Sequence, residues 1–356
     1  MVTQKPDTSL GFHPAIPGGR DVLAPSLAAL RRDGALERSV LSPQLHQVLL
    51  GMARLRNAVS SFQMEGDRVA LDRARKVLET DRPESPAERG IVQLAKAYGD
   101  LARGKLPEFS RAGIREAHSR IFDGVLDGES VGQFKRVDNR ITDPSGQVVR
   151  FAPTPATRVS AEIDSLLAWL HETEDQLLPP PVVAAIFFAE FEAIHPFPDG
   201  NGRVGRYLNV ALLARLGLRN VALVPLDTRF FRASDHYYEY LATTNSGQDY
   251  RLWIRYYVTQ LRKAYEVASR RGDLNPILER FRRPSTRCVL RWVLEGSGAW
   301  FHRRDVPNPR RLSGPALWAA FQELVRSGIL EARGEAKGRE YRLRSDLLTK
   351  IYRGIS

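Results

Sequence analysis

"HPFPDGNGRVGR", His195 to Arg206, sets a histidine, a carboxylate, a Gly-Asn-Gly turn and two arginines within twelve residues. Gly200-Asn201-Gly202 leads into a helix read over Arg203–Leu216, with Arg203 and Arg206 in its first turn. A helix start exposes unpaired backbone N–H groups and a partial positive charge, and glycines let a ligand come close to that backbone. Such a terminus binds anions, phosphate above all. The macrodipole repels cations there, so two arginines are misplaced unless a polyphosphate sits among them. Asp199, next to the glycines, is a single carboxylate of the kind that holds Mg²⁺ together with phosphate oxygens and water. His195 is placed to accept a proton from an attacking hydroxyl. Phe197 and Pro198 are read as pointing inward to fix the loop.

Outward from this loop the pattern is mainly helical. The preceding helix starts at Pro181 and is apolar nearly all round through Val182–Ile194, which marks a central, buried element. His195-Pro196 ends it, because proline disfavours α geometry in the residue before it. Apolar residues at spacings of three and four give a helix over Pro43–Glu65, stopped by Gly66. Further helices are read near Asp67–Glu79, Ser85–Arg103, Ser110–Phe122, Ser160–Glu172, Arg229–Asn245 and Tyr250–Arg270. Between Gly132 and Pro153, "FKRVDNRI" and "QVVRFAP" flank the turn "TDPSG" and predict a β-hairpin. The opening segment through "HPAIPGG" reads as an extended arm. "RRGDLNP" reads as a linker, followed by helices at Ser285–Leu294 and Leu312–Arg326 and two strand-like halves in "GILEARGEAKGREYRLR". That order is the layout of a winged helix.

Length, composition and charge bound the rest. With 356 residues, 43% apolar and 26% charged, the chain is a globular protein of two or three domains. No stretch is long enough to span a bilayer, and the first residues lack the signature of a signal peptide. One cysteine, Cys288, cannot form an internal disulfide, so the expected location is cytoplasmic. The net charge is +12, but from Phe281 onward there are 16 Lys+Arg against 7 Asp+Glu, so the basic character belongs to the C-terminal module.

His195–Arg206 resembles the signature of the Fic family, H-P-F-x-[DE]-G-N-G-R-x-x-R, at every defined position, and the resemblance extends over roughly Asn57–Arg270. It implies a protein adenylyltransferase that moves AMP from Mg-ATP to a Ser, Thr or Tyr hydroxyl of a target protein, itself included. On that resemblance His195 is the catalytic base and Asp199 holds Mg²⁺. Gly200, Asn201, Gly202 and Arg203 cradle the α and β phosphates, and Arg206 holds the γ phosphate. The hairpin at Lys135–Ala152 is similar to the family's flap, which docks the target by β-strand addition. Lys135 stands in "GQFK" where the family has arginine. "YYEYLATTN" resembles the adenine pocket, with Tyr237, Tyr238 and Leu241 packing the base and Asn245 hydrogen-bonding it.

Ser61–Gly66, "SFQMEG", fits the family's inhibitory motif, [ST]-x-x-x-E-[GN]. Glu65 in a last helical turn is disfavoured by the macrodipole, and a partner cation would remove that cost. The resemblance supplies Arg206 as the partner, with Ser61 in the same motif, in the class whose inhibitory helix precedes the core. It also admits the reverse reaction, AMP removal.

The domain reading is an N-terminal arm and helical region (1–109, inhibitory helix about 43–66), a Fic core (110–272) and a winged-helix-like domain (281–356). The basic module fits DNA or protein contact, including homodimer assembly. Two alternatives stay open: a DNA-binding regulator with a nucleotide-sensing core, and a Fic transferase using another nucleotide or a phosphocholine donor.

Overall fold

The computed structural model describes residues 3–38, 43–142, 149–173, 178–246, 249–272, 280–295, 300–306, 312–335 and 338–344. Its chain packs as two units, Met1–Ala35 with Ala53–Val267, and Leu36–Met52 with Ala268–Ser356.

The first unit is built around two buried helices, α7 (Pro180–Ile194) and α8 (Asn201–Arg215). Every residue of α7 from Pro181 on is buried except Glu192, and so is all of α8 from Asn201 to Leu213. The sequence of α7 offers no polar stripe to water, whereas α8 carries Arg203, Arg206 and Asn209 at spacings of three, each buried with a hydrogen-bond partner. Helices α4 (Pro86–Leu101), α5 (Arg111–Phe122) and α6 (Val159–Glu172) pack against this pair. Local chemistry starts them where expected. The Ser85 hydroxyl accepts from Glu88 N–H with Pro86 at the first position, and the Ser110 hydroxyl accepts from Gly113 N–H. Helices α2 (Pro43–Gln63), α3 (Leu71–Thr80) and α11 (Arg251–Gly272) complete the set that the sequence anticipates. The linker residues after 272 lie outside the described residues.

Three features differ from the sequence reading. A helix α1 spans Arg20–Arg38, although Pro25 interrupts its pattern. Within this unit its inward side carries Val22, Ser26, Ala29 and Asp33, and Asp33 accepts from Tyr265 Oη at 2.7 Å and Asn220 N–H at 2.9 Å. Tertiary contacts therefore override a weak local signal. The helix expected over Arg229–Asn245 is broken at Ala233 (φ −129°, ψ 38°) into α9, Leu226–Arg232, and α10, Ser234–Ala242. Ser234 and Asp235 favour helix starts over interiors.

The third difference is the arm. Strand β1 (Thr3–Gln4) pairs in parallel with β3 (Val149–Ala152), which pairs antiparallel with β2 (Ile141–Thr142). The expected hairpin is thus part of a three-stranded sheet of order β1-β3-β2. Its turn, residues 143–148, lies outside the described residues. Lys5 follows β1 into the interior and meets Glu162 at 2.6 Å and Glu190 at 2.7 Å. Thr154 and Tyr250 hydroxyls donate to the same two carboxylates. Glu190, one of two acids in the otherwise apolar α7, is there to receive the lysine.

The second unit holds α12 (Pro284–Glu295) and α13 (Gly314–Arg326) beside an antiparallel sheet of β4 (Phe301–His302), β6 (Glu340–Leu343) and β5 (Leu330–Arg333), in that spatial order. Phe321, Leu324, Leu330 and Tyr341 form its core. Among the described residues no helix is long and apolar enough to cross a membrane.

Candidate active site

The loop between α7 and α8 is held from several directions. His195 caps α7 in the left-handed region (φ 52°, ψ 61°), and its N–H donates to Phe191 O at 3.0 Å. A non-glycine residue there costs on the order of 1–2 kcal/mol, so the surroundings must fix it. Lys135 N–H donates to Pro196 O at 2.8 Å, and Asn139 Nδ2 to Phe197 O at 3.1 Å. Asn201 closes the loop on itself, accepting from Phe197 N–H at 2.8 Å and donating to Phe197 O at 2.9 Å. Its side chain is thereby committed to the loop, which leaves only its backbone for phosphate.

His118 on α5 supports the loop from below. Gly132 N–H donates to its Nδ1 at 3.0 Å, so the proton is on Nε2, which donates to Asp199 O at 3.1 Å. Its ring stacks on Phe197 at 4.0 Å, and burial lowers its pKa to about 4. The sequence reading passed over His118. Its position among Ile114, Ile121 and Phe122, on the buried side of α5, was the available signal.

His195 Nδ1 lies 3.3 Å from Glu192 O, which can only accept. Nδ1 therefore carries the proton and Nε2 is left with its lone pair. Burial and the neighbouring Lys135 charge lower the His195 pKa to about 4, so it is a neutral base at pH 7. Glu192 itself is held protonated. Burial raises its carboxyl to about 8, and its Oε1 has no hydrogen-bond partner.

At the start of α8, Gly200 has φ 82°, and a side chain there would meet the Phe122 ring at 2.5 Å. At Gly202 a Cβ would collide with Glu65 Oε1 and crowd Arg206. Gly200 thereby makes room for the Phe122 ring and Gly202 for the Glu65 carboxylate, which a side chain at either position would displace. Arg203 lies between the Phe62 and Phe122 rings, 4.9 and 4.7 Å from their centroids, and donates to Asp199 Oδ1 at 2.9 Å. It also faces Asp67 at 4.0 Å, a residue the sequence did not single out.

Arg206 is buried, 1% exposed. Its Nε donates to Ser61 Oγ at 2.8 Å, and its Nη2 to Ser61 O at 2.9 Å and Glu65 Oε1 at 2.7 Å. Burial opposes its charge, but Glu65, Tyr237 and Asp227 more than compensate and raise its pKa. Ser61 thus binds the arginine rather than the glutamate. Glu65 lies just beyond the end of α2, in the turn that closes at Gly66.

The expected adenine-pocket residues divide. Tyr237 is 1% exposed and packs with Phe188, Phe230 and Trp253. Tyr238 is 48% exposed, and its hydroxyl donates to Met64 O at 3.0 Å, which ties α10 to the segment carrying Glu65. Leu241 is half-buried on the same helix. Asn245 falls in the short 3-10 turn Thr243–Ser246, and its side chain lies outside the described residues.

Asp199 offers one carboxylate, 59% exposed, with Oδ1 also accepting from Gly200 N–H at 2.5 Å. Among the described residues no three His, Cys, Asp or Glu side chains converge as a metal cage. The donor set suits a magnesium ion that takes most of its ligands from phosphate and water, not a resident structural metal.

The model of the Fic/DOC family matches residues 108–213, which span α5, β2, β3 and the whole loop. The chain thus carries a segment, residues 108–213, that matches the Fic domain. A probable protein adenylyltransferase of Aquifex aeolicus (strain VF5) is 32% identical over 165 residues, 46% of this chain and 49% of that protein. The protein adenylyltransferase Fic of Nematostella vectensis is 27% identical over 203 residues, 55% of this chain and 44% of its own length. The chain thus spans about half the length of these curated relatives. Among solved structures, a Fic family protein from Desulfovibrio desulfuricans G20 superposes with a TM-score of 0.64 at 20% identity, covering 94% of this chain and 99% of that one. Fic-1 of C. elegans gives 0.56 at 21% identity, covering 69% and 71%. At these identities the structures establish the fold.

Proposed function

We propose that the chain is a protein adenylyltransferase. The observation that carries the reading is the His195 side chain: a neutral imidazole with Nε2 free, fixed at the edge of a helix N-terminus that carries two arginines. Nε2 takes the proton of a target Ser, Thr or Tyr hydroxyl. That oxygen bonds to the α phosphorus of ATP, the bond to the β-phosphate oxygen breaks, and pyrophosphate leaves. The N–H groups at Gly200–Gly202 and the Arg203 guanidinium face the charge that develops. Asp199 would hold Mg²⁺, which when bound neutralises phosphate charge. Tyr237, Tyr238, Leu241 and Asn245 are proposed to border the adenine. The target segment is proposed to pair with the flap at β2, since β1 already lies along β3.

The Arg206–Glu65 pair supports self-inhibition. While Arg206 is bound to Glu65 and Ser61 it has no guanidinium edge to offer a γ phosphate, and ATP is denied the pose needed for in-line attack. AMP removal by the same site is compatible with this arrangement. The second unit is proposed to be a winged helix. Its α13 exposes Trp318 and bears Arg326 as its one cation, which favours protein contact over the major groove.

The test is transfer from α-labelled against γ-labelled ATP to protein acceptors in Mg²⁺. Label arriving from the α position only is the expected result, and label from the γ position overturns the reading.

A further inference from the structure

We propose that Lys135 is a positioning residue for His195, gripping the peptides on both sides of the imidazole and setting a positive charge beside it. The proposal rests on the reading of His195 as the base.

The geometry is a clamp along one strand of loop. Lys135 N–H holds Pro196 O at 2.8 Å, while its Nζ, on the other side, reaches Ile194 O at 3.5 Å. The same Nζ donates to Asn139 Oδ1 at 2.6 Å, and Asn139 Nδ2 in turn holds Phe197 O. Carbonyls 196 and 197 are thus fixed by two residues of "KRVDN" while the ammonium faces carbonyl 194, and the residue enclosed between them is the one in left-handed geometry. A lysine and an asparagine that hydrogen-bond each other can serve only one register of this loop. That is what a strained catalytic side chain requires.

The second observation is electrostatic. Lys135 is 4% exposed, and among the described residues no carboxylate lies within ion-pairing distance of it. A buried ammonium without a counter-ion is costly, and burial lowers its pKa to about 8 against the more distant Asp138 and Glu162. A fold that only needed to hold carbonyls could use a neutral donor. The charge has an evident use next door, because a cation beside an imidazole disfavours the imidazolium. The charged groups acting on His195 are Lys135, Glu65 and Asp199. The two acids favour protonation, while burial and Lys135 oppose it and prevail. Glu192 contributes its carbonyl to Nδ1 and no negative charge, its carboxyl being protonated at neutral pH. Burial is the larger cause, and Lys135 adds to it in keeping the base free of a proton despite two neighbouring carboxylates.

The test is a proton-NMR titration of His195 in the full chain, assigned by loss of its signal in His195→Gln, for wild type, Lys135→Met, Lys135→Arg and Asn139→Ala. Lys135→Met should raise the His195 pKa by about one unit, and Lys135→Arg should leave it near the wild-type value. Asn139→Ala should leave the titration in place while lowering kcat, because it loosens the loop without removing charge. In transfer assays the acid limb of kcat for Lys135→Met should move up by about one pH unit, a several-fold loss near pH 4 that disappears by about pH 7, with KM for ATP unchanged. An unchanged His195 titration in Lys135→Met overturns the proposal, as does a loss shared equally by Lys135→Met and Lys135→Arg at every pH. If Lys135→Met does not fold, Lys135→Gln, which keeps a neutral donor and removes the charge, takes its place in the same titration with the same expected shift. The titration needs no activity, so it can fail or succeed independently of AMP transfer. Wild-type transfer surviving in His195→Ala would instead remove the functional reading.

Discussion

Arg206 and Glu65, 141 residues apart in the chain, are joined by a 2.7 Å hydrogen-bonded ion pair inside the candidate active site. The two ends differ in exposure. The arginine side chain is 1% exposed and further anchored by Ser61, whereas the glutamate side chain is 32% exposed and anchored only through the arginine. Glu65 is therefore the member that can leave. Arg206 stays in place, ready for a different anion.

Replacing Glu65 by glycine should raise transfer, self-modification included, by about tenfold, the equivalent of releasing an interaction of roughly 1.4 kcal/mol. The same change should lower thermal stability by about 1–3 kcal/mol. That is below the range for a fully buried pair, since Glu65 is partly solvated. Adding Arg206→Ala should remove most of the gain. Incorporation of labelled AMP by wild type, the two single variants and the double variant checks the cycle. A Glu65→Gly protein no more active than wild type means the pair is structural only.

His195→Ala and Asp199→Ala should fail in different ways. Loss of the imidazole removes the proton acceptor without touching phosphate, so transfer should vanish while Mg-ATP still binds. Loss of the carboxylate should weaken nucleotide binding in the presence of Mg²⁺ and change little in its absence. Calorimetry with and without the metal separates the two. Equal loss of binding in both variants would contradict the assigned roles.

What the sequence disclosed and what it hid follow from the range of the interactions. The buried helix α7, the loop and the helix after it were legible from local pattern, whereas the pairing of Arg206 with Glu65 came only from the resemblance to the Fic family. Continuous apolar runs, glycines before a helix and a motif of fixed spacing are local signals. The arm was not. Lys5 in "TQKPD" looks like any exposed lysine, and only the folded chain brings Glu162 and Glu190 to it. His118 and Asn139 escaped for the same reason, since their partners are loop carbonyls, and a carbonyl acceptor leaves no mark in sequence. Helix α1 was missed because Pro25 and a polar composition hide an inward side that tertiary contacts reward.

Lys5→Met should be among the most damaging single changes in the chain. It leaves Glu162 and Glu190 buried, 0% and 4% exposed at their side chains, with no ammonium between them. Removing one partner of a buried charge cluster costs about 3–5 kcal/mol, because the remaining charges keep their desolvation penalty. β1 borders the flap strand β3, so faster hydrogen exchange in Val149–Ala152 should accompany the loss. Replacing both glutamates by glutamine in the Lys5→Met background should restore part of the stability. Urea unfolding of the three proteins decides, and a Lys5→Met protein within about 1 kcal/mol of wild type would show that the cluster does not hold the arm.

The last prediction concerns acid. His118 is fully buried and neutral, with a folded pKa of about 4 against an ordinary value of 6.5. The unfolded chain therefore binds a proton at this residue between those two values while the folded chain does not. Stability must fall as pH drops through that window, and it is unaffected by His118 above it. The full effect of such a shift is on the order of 3 kcal/mol by pH 4. Protonation would also place a second N–H on Nδ1, against the Gly132 N–H that now donates to it, and so open the contact behind the loop. His118→Gln tests this directly. Its amide can donate to Asp199 O and accept from Gly132 N–H, but it cannot titrate. The variant should be somewhat less stable than wild type at pH 7, having lost the stacking on Phe197, yet its stability should decline less between about pH 6.5 and 4. Urea midpoints across that range give the answer. If the two proteins lose stability in parallel, His118 is not the group that titrates, and the remaining carboxylates and His195 account for the acid sensitivity.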